Sequence, residues 1–241
     1  MGMSTDTDGA ENEHGYLLDN QQSEAGVRFG ALAELFDPVT FRHVDRIGLT
    51  EGMRCWEVGA GGPSVPTGLA ERVGPTRQVV CADIDVSWAR EAASPVVEVL
   101  RHDVATDPPP PGGFDLVHAR LVLVHVVDRA EALRRMVRAL RPVGCCSLRT
   151  PIRGSSPCCA RTSPAPGSGS PTGLRADAYF PITSPACTVL EAATVRQIRG
   201  RLVAAGIATD ADIDRHLANV ATGQLDLATA PLVSAWGRRA P

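Results

Sequence analysis

Apolar positions along this chain change their period repeatedly, and each change marks a different kind of element. Between Val27 and Ile47 they recur at helical spacing, first as Phe29, Leu32, Ala33 and Phe36 and then as Phe41, Val44 and Ile47, with Asp37-Pro38 between the two sets. This pattern predicts two helices that meet at the proline and lie against a sheet, or over a crevice in it. The period then shortens. Cys55, Trp56 and Val58 read as a short buried strand, and a glycine turn leads on to a helix with Val65, Leu69 and Val73 on one face. Pro63 and Pro66 fall in its first turn, where a missing N–H breaks no intrahelical bond. Further strands are predicted from Gln78 to Ala82, from Val96 to Leu100, and, behind a proline-glycine connector, from Phe114 to His118. Asp128 and Glu131 form a capping pair for a helix carrying Leu133, Met136, Val137 and Leu140, which Pro142 and Gly144 end. Strand, turn and helix in this repeating order predict a doubly wound, mainly parallel α/β sheet with right-handed crossovers.

That order lapses between Cys145 and Arg175, where a buried fifth strand is due. The segment offers adjacent cysteines, prolines, Ser/Gly runs and arginines, with no acidic residue. Its composition is that of a GC-rich reading frame translated out of register, so the fifth-strand region is expected to be disrupted; the competing reading is a genuine long loop. Periodicity then returns. Tyr179, Phe180 and Ile182 read as a strand, Leu190, Val195, Ile198 and Leu202 as a long helix, Thr209 with Asp212 as the cap of another carrying Ile213, Leu217 and Val220, and Pro231 to Trp236 as a final strand. The organisation expected is a disordered tail over 1–15, a helical arm over 16–50, a βα core over 51–144, an irregular segment over 145–175, and the remainder of the same domain over 176–241.

Composition narrows the possibilities. With 241 residues, 44% of them hydrophobic, the chain is long enough to bury one substantial α/β core. A formal net charge of −3 without blocks of like charge points to neither a nucleic-acid nor a membrane partner. A polar N-terminus and the lack of a long apolar run lead to the expectation of a cytoplasmic protein. The cysteines number 7, and the adjacent pairs Cys145-Cys146 and Cys158-Cys159 lack the C-x-x-C spacing that lets two thiolates share a zinc ion, so no metal is expected. All 24 basic residues are arginine, which excludes lysine Schiff-base chemistry and a Walker lysine.

Candidate chemistry gathers at the carboxyl ends of the first three strands. Glu57-Val58-Gly59-Ala60-Gly61-Gly62 closes the first, Asp83 closes the second, and Asp103 follows the third. Glycines let backbone N–H groups approach a ligand without a Cβ in the way, Asp83 can accept from both hydroxyls of a ribose, and Asp103 from an adenine amino group. Glu57 would repel a pyrophosphate and favour a cationic amino-acid moiety. The turn is also one glycine short of G-x-G-x-x-G, which ranks a nicotinamide dinucleotide, and so an NAD-dependent oxidoreductase, last. His118, Arg120 and His125 follow the fourth strand; His125, before His118, is the candidate general base, against the alternative that either histidine is a structural hydrogen-bonder. The Arg120 stem has an equal claim to be covering apolar surface. Trp56 and Trp236 are assigned to the core, and Trp88 to packing its helix on the sheet.

Glu57-Val58-Gly59-Ala60-Gly61-Gly62, Cys81-Ala82-Asp83-Ile84-Asp85, Arg101-His102-Asp103-Val104, Phe114-Asp115-Leu116-Val117-His118 and Leu140-Arg141-Pro142-Val143-Gly144, taken in order, resemble the class I S-adenosylmethionine-dependent methyltransferases over roughly residues 16–144. The resemblance implies a Rossmann-like, seven-stranded sheet whose last strand runs antiparallel, S-adenosyl-L-methionine as cofactor, and in-line methyl transfer to an unidentified small-molecule acceptor. It implies that Gly59 and Gly61 line the methionine portion beside Glu57 and Ala60, that Asp83 binds the ribose, that Ile84 packs on adenine, and that Asp103 and Val104 lie at the adenine edge. Tyr16 either covers the cofactor or anchors the arm. Pro63 stands where many members have a third glycine, and Val143 replaces the first glycine of the usual Pro-Gly-Gly turn. A disrupted fifth strand would impair the substrate half, leaving a noncatalytic cofactor-binding protein as the alternative.

Overall fold

The computed structural model describes residues 18, 20, 22–151, 173–177, 185–225 and 232–241, with the backbone alone over 173–177. The expected disordered tail, Tyr16, the strand expected over Tyr179–Ile182 and most of the irregular segment lie outside these residues.

Among the described residues, seven strands form one sheet in the order β3-β2-β1-β4-β5-β7-β6. Strands β1 (Cys55–Val58), β2 (Val79–Asp83), β3 (Val97–Arg101), β4 (Phe114–Arg120) and β5 (Leu140–Pro151) pair in parallel. β7 (Leu232–Arg238) runs antiparallel to both β5 and β6 (Gly173–Asp177). Helices α2 (Ser64–Val73), α3 (Arg129–Ala139), α4 (Pro185–Ala204) and α5 (Asp210–Ala221) complete the fold with α1 (Ser23–Arg46).

Every residue of β1 and β2 is buried, as expected of parallel strands covered on both faces. Alternation sorts them. Cys55, Val79, Cys81 and Leu116 pack against Val44 of α1 and Val65, Leu69 and Val73 of α2. Trp56, Val58, Val80, Ala82 and Val117 pack on the other face against Ala132, Met136 and Ala139 of α3. A third cluster joins Leu35 and Phe36 of α1 to Ala186 and Cys187 of α4 and Leu232 of β7.

Three expectations need correction. Pro38 does not divide the arm: α1 is one helix through it. Pro38 and Glu34 both lie on its exposed side, so the carbonyl that loses its N–H partner faces water while the buried side stays packed. The fifth strand is also present. Residues Cys145 to Arg149 pair with β4 on one side and β7 on the other, so the irregular stretch expected from residue 145 begins no earlier than residue 152. Backbone pairing on both edges carries a strand that Ser147 and Arg149, both buried, disguise as polar sequence. Finally, the buried stripe of α3 is Ala132, Met136 and Ala139, whereas Val137 is exposed.

The caps follow the sequence closely. Asp128 accepts from the Glu131 N–H at 2.9 Å. Thr209 and Asp212 form a reciprocal capping box at the start of α5.

Val143 adopts a left-handed conformation with φ 59°, a region costly for a β-branched residue, on the way from α3 into the paired part of β5. Next to it, a Cβ on Gly144 would stand 2.7 Å from the Phe114 carbonyl oxygen, so glycine is required there. Because Val143 is 53% exposed, little packing opposes its replacement. Val143→Gly is expected to stabilise the protein by about 1 kcal/mol in chemical denaturation. An unchanged or lower midpoint would show that the left-handed bend carries no strain.

Candidate cofactor site

The glycine turn is fastened to the neighbouring strand. Gly59 and Gly61 take φ of 64° and 62°, open to glycine without strain. The Gly59 and Ala60 N–H groups donate to the Ala82 carbonyl at 2.7 and 3.2 Å, and Gly62 donates to Ala60 at 2.7 Å. Gly61 donates to Asp83 Oδ2 at 2.8 Å, and Asp83 Oδ1 accepts from the Asp85 N–H at 3.0 Å. The turn and the acid expected to share a ligand are thus in direct contact.

This arrangement corrects one expectation. The N–H groups of the turn do not await a ligand; all four donate within the protein, to Ala82, Ala60 and Asp83. A pyrophosphate, which needs such donors, is poorly served. A cationic group suits the carbonyl side of the turn and the acidic side chains around it.

The absent Cβ atoms have a second role that the sequence did not reveal. A Cβ on Gly59 would lie 2.3 Å from Val122 Cγ2, and one on Gly61 2.5 Å from Phe29 Cε1. Phe29 of α1 and Val122, just beyond β4, therefore close on the turn from two sides. The apolar period of the arm predicted it against the sheet or over a crevice in it, and gave no means of choosing Phe29. Leu121, with φ 63°, makes the bend that directs its own side chain towards the Leu35–Phe36–Ala186 cluster as the chain proceeds to Val122. Trp88 packs against Gly26 of α1, and its Nε1–H donates to the Asn20 carbonyl at 2.7 Å, so it joins the arm to the sheet end beyond Asp83.

Asp83 is 7% exposed, and burial, the largest influence, raises its carboxyl above the ordinary value of 3.8; the N–H bonds from Asp85, Gly61 and Ile84 act in the opposite direction. Ile84 is partly exposed beside it. Asp103 is half-buried and its Oδ1 accepts from the Ala105 N–H at 2.8 Å, which fixes the carboxylate after β3. Val104 turns its side chain into the core beneath α3, so it can meet a ligand only through its backbone. Ala60 packs against the α2 side of the core.

Glu57 and His118 stand opposite each other on β1 and β4, and His118 Nδ1 lies 2.6 Å from Glu57 Oε2. They are 1% and 0% exposed. A base must reach its substrate, so His118, wholly covered and bonded to Glu57, is not placed to serve as one. His125 is exposed in the segment between β4 and α3, its N–H donating to the Val122 carbonyl at 2.9 Å. Arg120 does more than cover apolar surface: its Nη1 bonds Asp37 at 2.6 Å and Thr40 at 3.2 Å, tying β4 to α1.

Burial, then the carboxylates of Asp115 and Glu57 for Cys55 and of Glu57 and Asp83 for Cys81, push both thiols upward; Cys146 is pushed up to about 12. Among the described residues no cluster of metal-binding side chains occurs, and no helix is long and apolar enough to cross a membrane.

Comparison with known proteins agrees with this geometry. A family described as a methyltransferase domain matches residues 56–148. The chain is 33% identical over 135 residues to nocamycin O-methyltransferase of Saccharothrix syringae, covering 53% of this chain and 48% of that protein. It is 31% identical over 109 residues to the ubiquinone/menaquinone biosynthesis C-methyltransferase UbiE of Pseudomonas savastanoi, covering 42% and 43%. The chain thus spans less than half the length of these relatives. Among solved structures, one described as a methyltransferase from Bacillus halodurans superimposes with a TM-score of 0.56 at 13% identity, covering 82% of this chain and 97% of that one. The YcgJ protein of Bacillus subtilis does so with a TM-score of 0.53 at 11% identity, covering 83% and 97%. Both share the fold. Strand order and glycine turn thus agree with the comparisons: residues 56–148 match a methyltransferase domain, and the chain shares the fold of these two solved structures.

Proposed function

We propose that the chain binds S-adenosylmethionine at the carboxyl ends of β1, β2 and β3 and transfers its methyl group in line to a small molecule. The observation that carries this reading is the Gly61–Asp83 bond, which sets a left-handed glycine turn against a buried carboxylate while the turn's own N–H groups are all engaged. With those donors engaged and a carboxylate left to accept, the arrangement fits a ribose-bearing cation and disfavours a dinucleotide. Bound there, the cofactor supplies an electrophilic methyl group on a positively charged sulfur.

The remaining work belongs to the chain. Asp83 retains acceptor capacity on both oxygens for the ribose hydroxyls, Ile84 offers apolar surface to a purine, and Asp103 an acceptor at its edge. Gly59 and Gly61 receive the methionine portion, with Glu57 and Ala60 beside them. Phe29 and Val122 restrict water around the turn, and His125 takes the proton from an acceptor that must lose one. Relatives named for O- and C-methylation support an oxygen or carbon nucleophile on a small molecule.

Calorimetric titration with S-adenosylhomocysteine tests the assignment. Asp83→Ala should weaken binding by about 1 to 3 kcal/mol through loss of the ribose bonds and of the Gly61 anchor. Undiminished affinity in a folded variant, or saturable binding of NAD alone, would overturn the reading.

The raised Asp83 carboxyl also fixes the sign of a pH effect. The ionised form is the better ribose acceptor, so affinity should fall on acidification at a pH above the range of an ordinary aspartate, and Asp83→Asn should abolish that dependence. Folding responds oppositely. A carboxyl raised in the folded state favours folding below its unfolded value, and this contribution is lost as pH rises through the folded value. Affinity that stays level through this acidic window would exclude Asp83 from the ligand.

His125→Ala should lower the turnover of a hydroxyl-bearing acceptor by about a hundredfold or more while leaving S-adenosylhomocysteine affinity unchanged. Full turnover in that variant would remove His125 from the mechanism.

A further inference from the structure

A row of polar side chains crosses the buried α1/α2 face of the sheet one rung below the cofactor site. Register places Glu57 of β1 opposite His118 of β4, His118 opposite Ser147 of β5, and Ser147 opposite Trp236 of β7. Glu57 is 1% exposed, and His118 and Ser147 are fully buried. Three adjacent strands seldom place polar groups together in a core unless the set is hydrogen-bonded, because each unsatisfied group costs about 1 to 3 kcal/mol. The Glu57–His118 bond satisfies one end. The other end is open: among the described residues, His118 Nε2 and Ser147 Oγ have no hydrogen-bond partner.

We propose that His118 is the positioning residue for Glu57, and that one buried water joins His118 Nε2 to Ser147 Oγ. The set then runs Glu57–His118–water–Ser147 from the first strand to the fifth. Its consequence lies at the end of β1. Glu57 stands two residues before Gly59, and a free glutamate there has several rotamers. The imidazole Nδ1–H, fixed from the far side, selects one and keeps the negative charge beneath the methionine end of the ligand. An apolar residue at 118 would leave Glu57 buried without a donor, so that it turns away. This inference rests on the cofactor assignment above and adds a residue that never touches the cofactor.

The test combines binding with spectroscopy. Titrating S-adenosylmethionine by calorimetry, His118→Leu should raise Kd by about tenfold or more, and His118→Gln, whose amide can donate to Glu57, should restore most of that loss. In a Glu57→Gln background, His118→Leu should have little further effect on Kd, because its influence passes through the carboxylate. Proton NMR of the wild-type chain should show a far-downfield imidazole N–H that disappears in Glu57→Gln and moves on ligand binding. A folded His118→Leu with wild-type affinity, equal losses from His118→Leu in both backgrounds, or an imidazole resonance indifferent to ligand would each overturn the proposal while leaving the cofactor assignment intact. Failure of the wild-type chain to bind would remove both. Should His118→Leu not fold, the His118→Gln affinity and the imidazole resonance decide: a tenfold loss in the glutamine variant, or an unmoved resonance, counts against it.

Discussion

One hydrogen bond, from the Gly61 N–H to the Asp83 carboxylate, sets the geometry on which the site depends. It links the turn after β1 to the end of β2, and the sheet register brings both strands into place. A turn anchored in this way needs no ligand to hold its shape. The same bond makes Asp83 brace the backbone, and in the proposed site its oxygens also accept from the ligand. Burial opposes its charge, and backbone N–H groups restore part of what burial removes. An acid held between these influences is well suited to recognise hydroxyl groups.

The arm and the β4 segment build the rest around that bond. Phe29 fills the space denied to a Cβ at Gly61, and Val122 that at Gly59. Arg120 secures β4 to Asp37 and Thr40 of α1, while Trp88 ties the sheet end beyond Asp83 to Asn20. The turn and the sheet end beside it are thus bordered by elements separated widely in sequence. Beneath the turn, Glu57, His118 and Ser147 place polarity on a sheet face whose apolar members include Cys55, Val79, Cys81, Leu116 and Cys145.

Local signals were legible in the sequence wherever local physics decides the outcome. The strand at Cys55–Val58, the α2 stripe of Val65, Leu69 and Val73, the Asp128 cap and the Thr209–Asp212 box all follow from periodicity or capping chemistry. Tertiary context overruled the rest. Pro38 reads as a break, yet its missing bond falls on the watered side of α1. Cys145 to Arg149 reads as irregular, yet two neighbouring strands complete its backbone bonds. In the site, the motif gave the turn and the acids, but pairing of Glu57 with His118 depends on the β1–β4 register, which no spacing encodes. For the same reason the packing of Phe29 and Val122 on the glycines could not be read from their positions.

The central claim is that the turn, Asp83 and the segment after β3 together receive one adenosyl ligand. Backbone amide NMR of the labelled chain during titration with S-adenosylhomocysteine tests it most directly. Binding at this site gives the largest shifts at Gly59, Ala60, Gly61, Asp83, Ile84 and Asp103, all following one saturation curve. Saturable binding that leaves those amides unmoved, and perturbs a different surface, would contradict it.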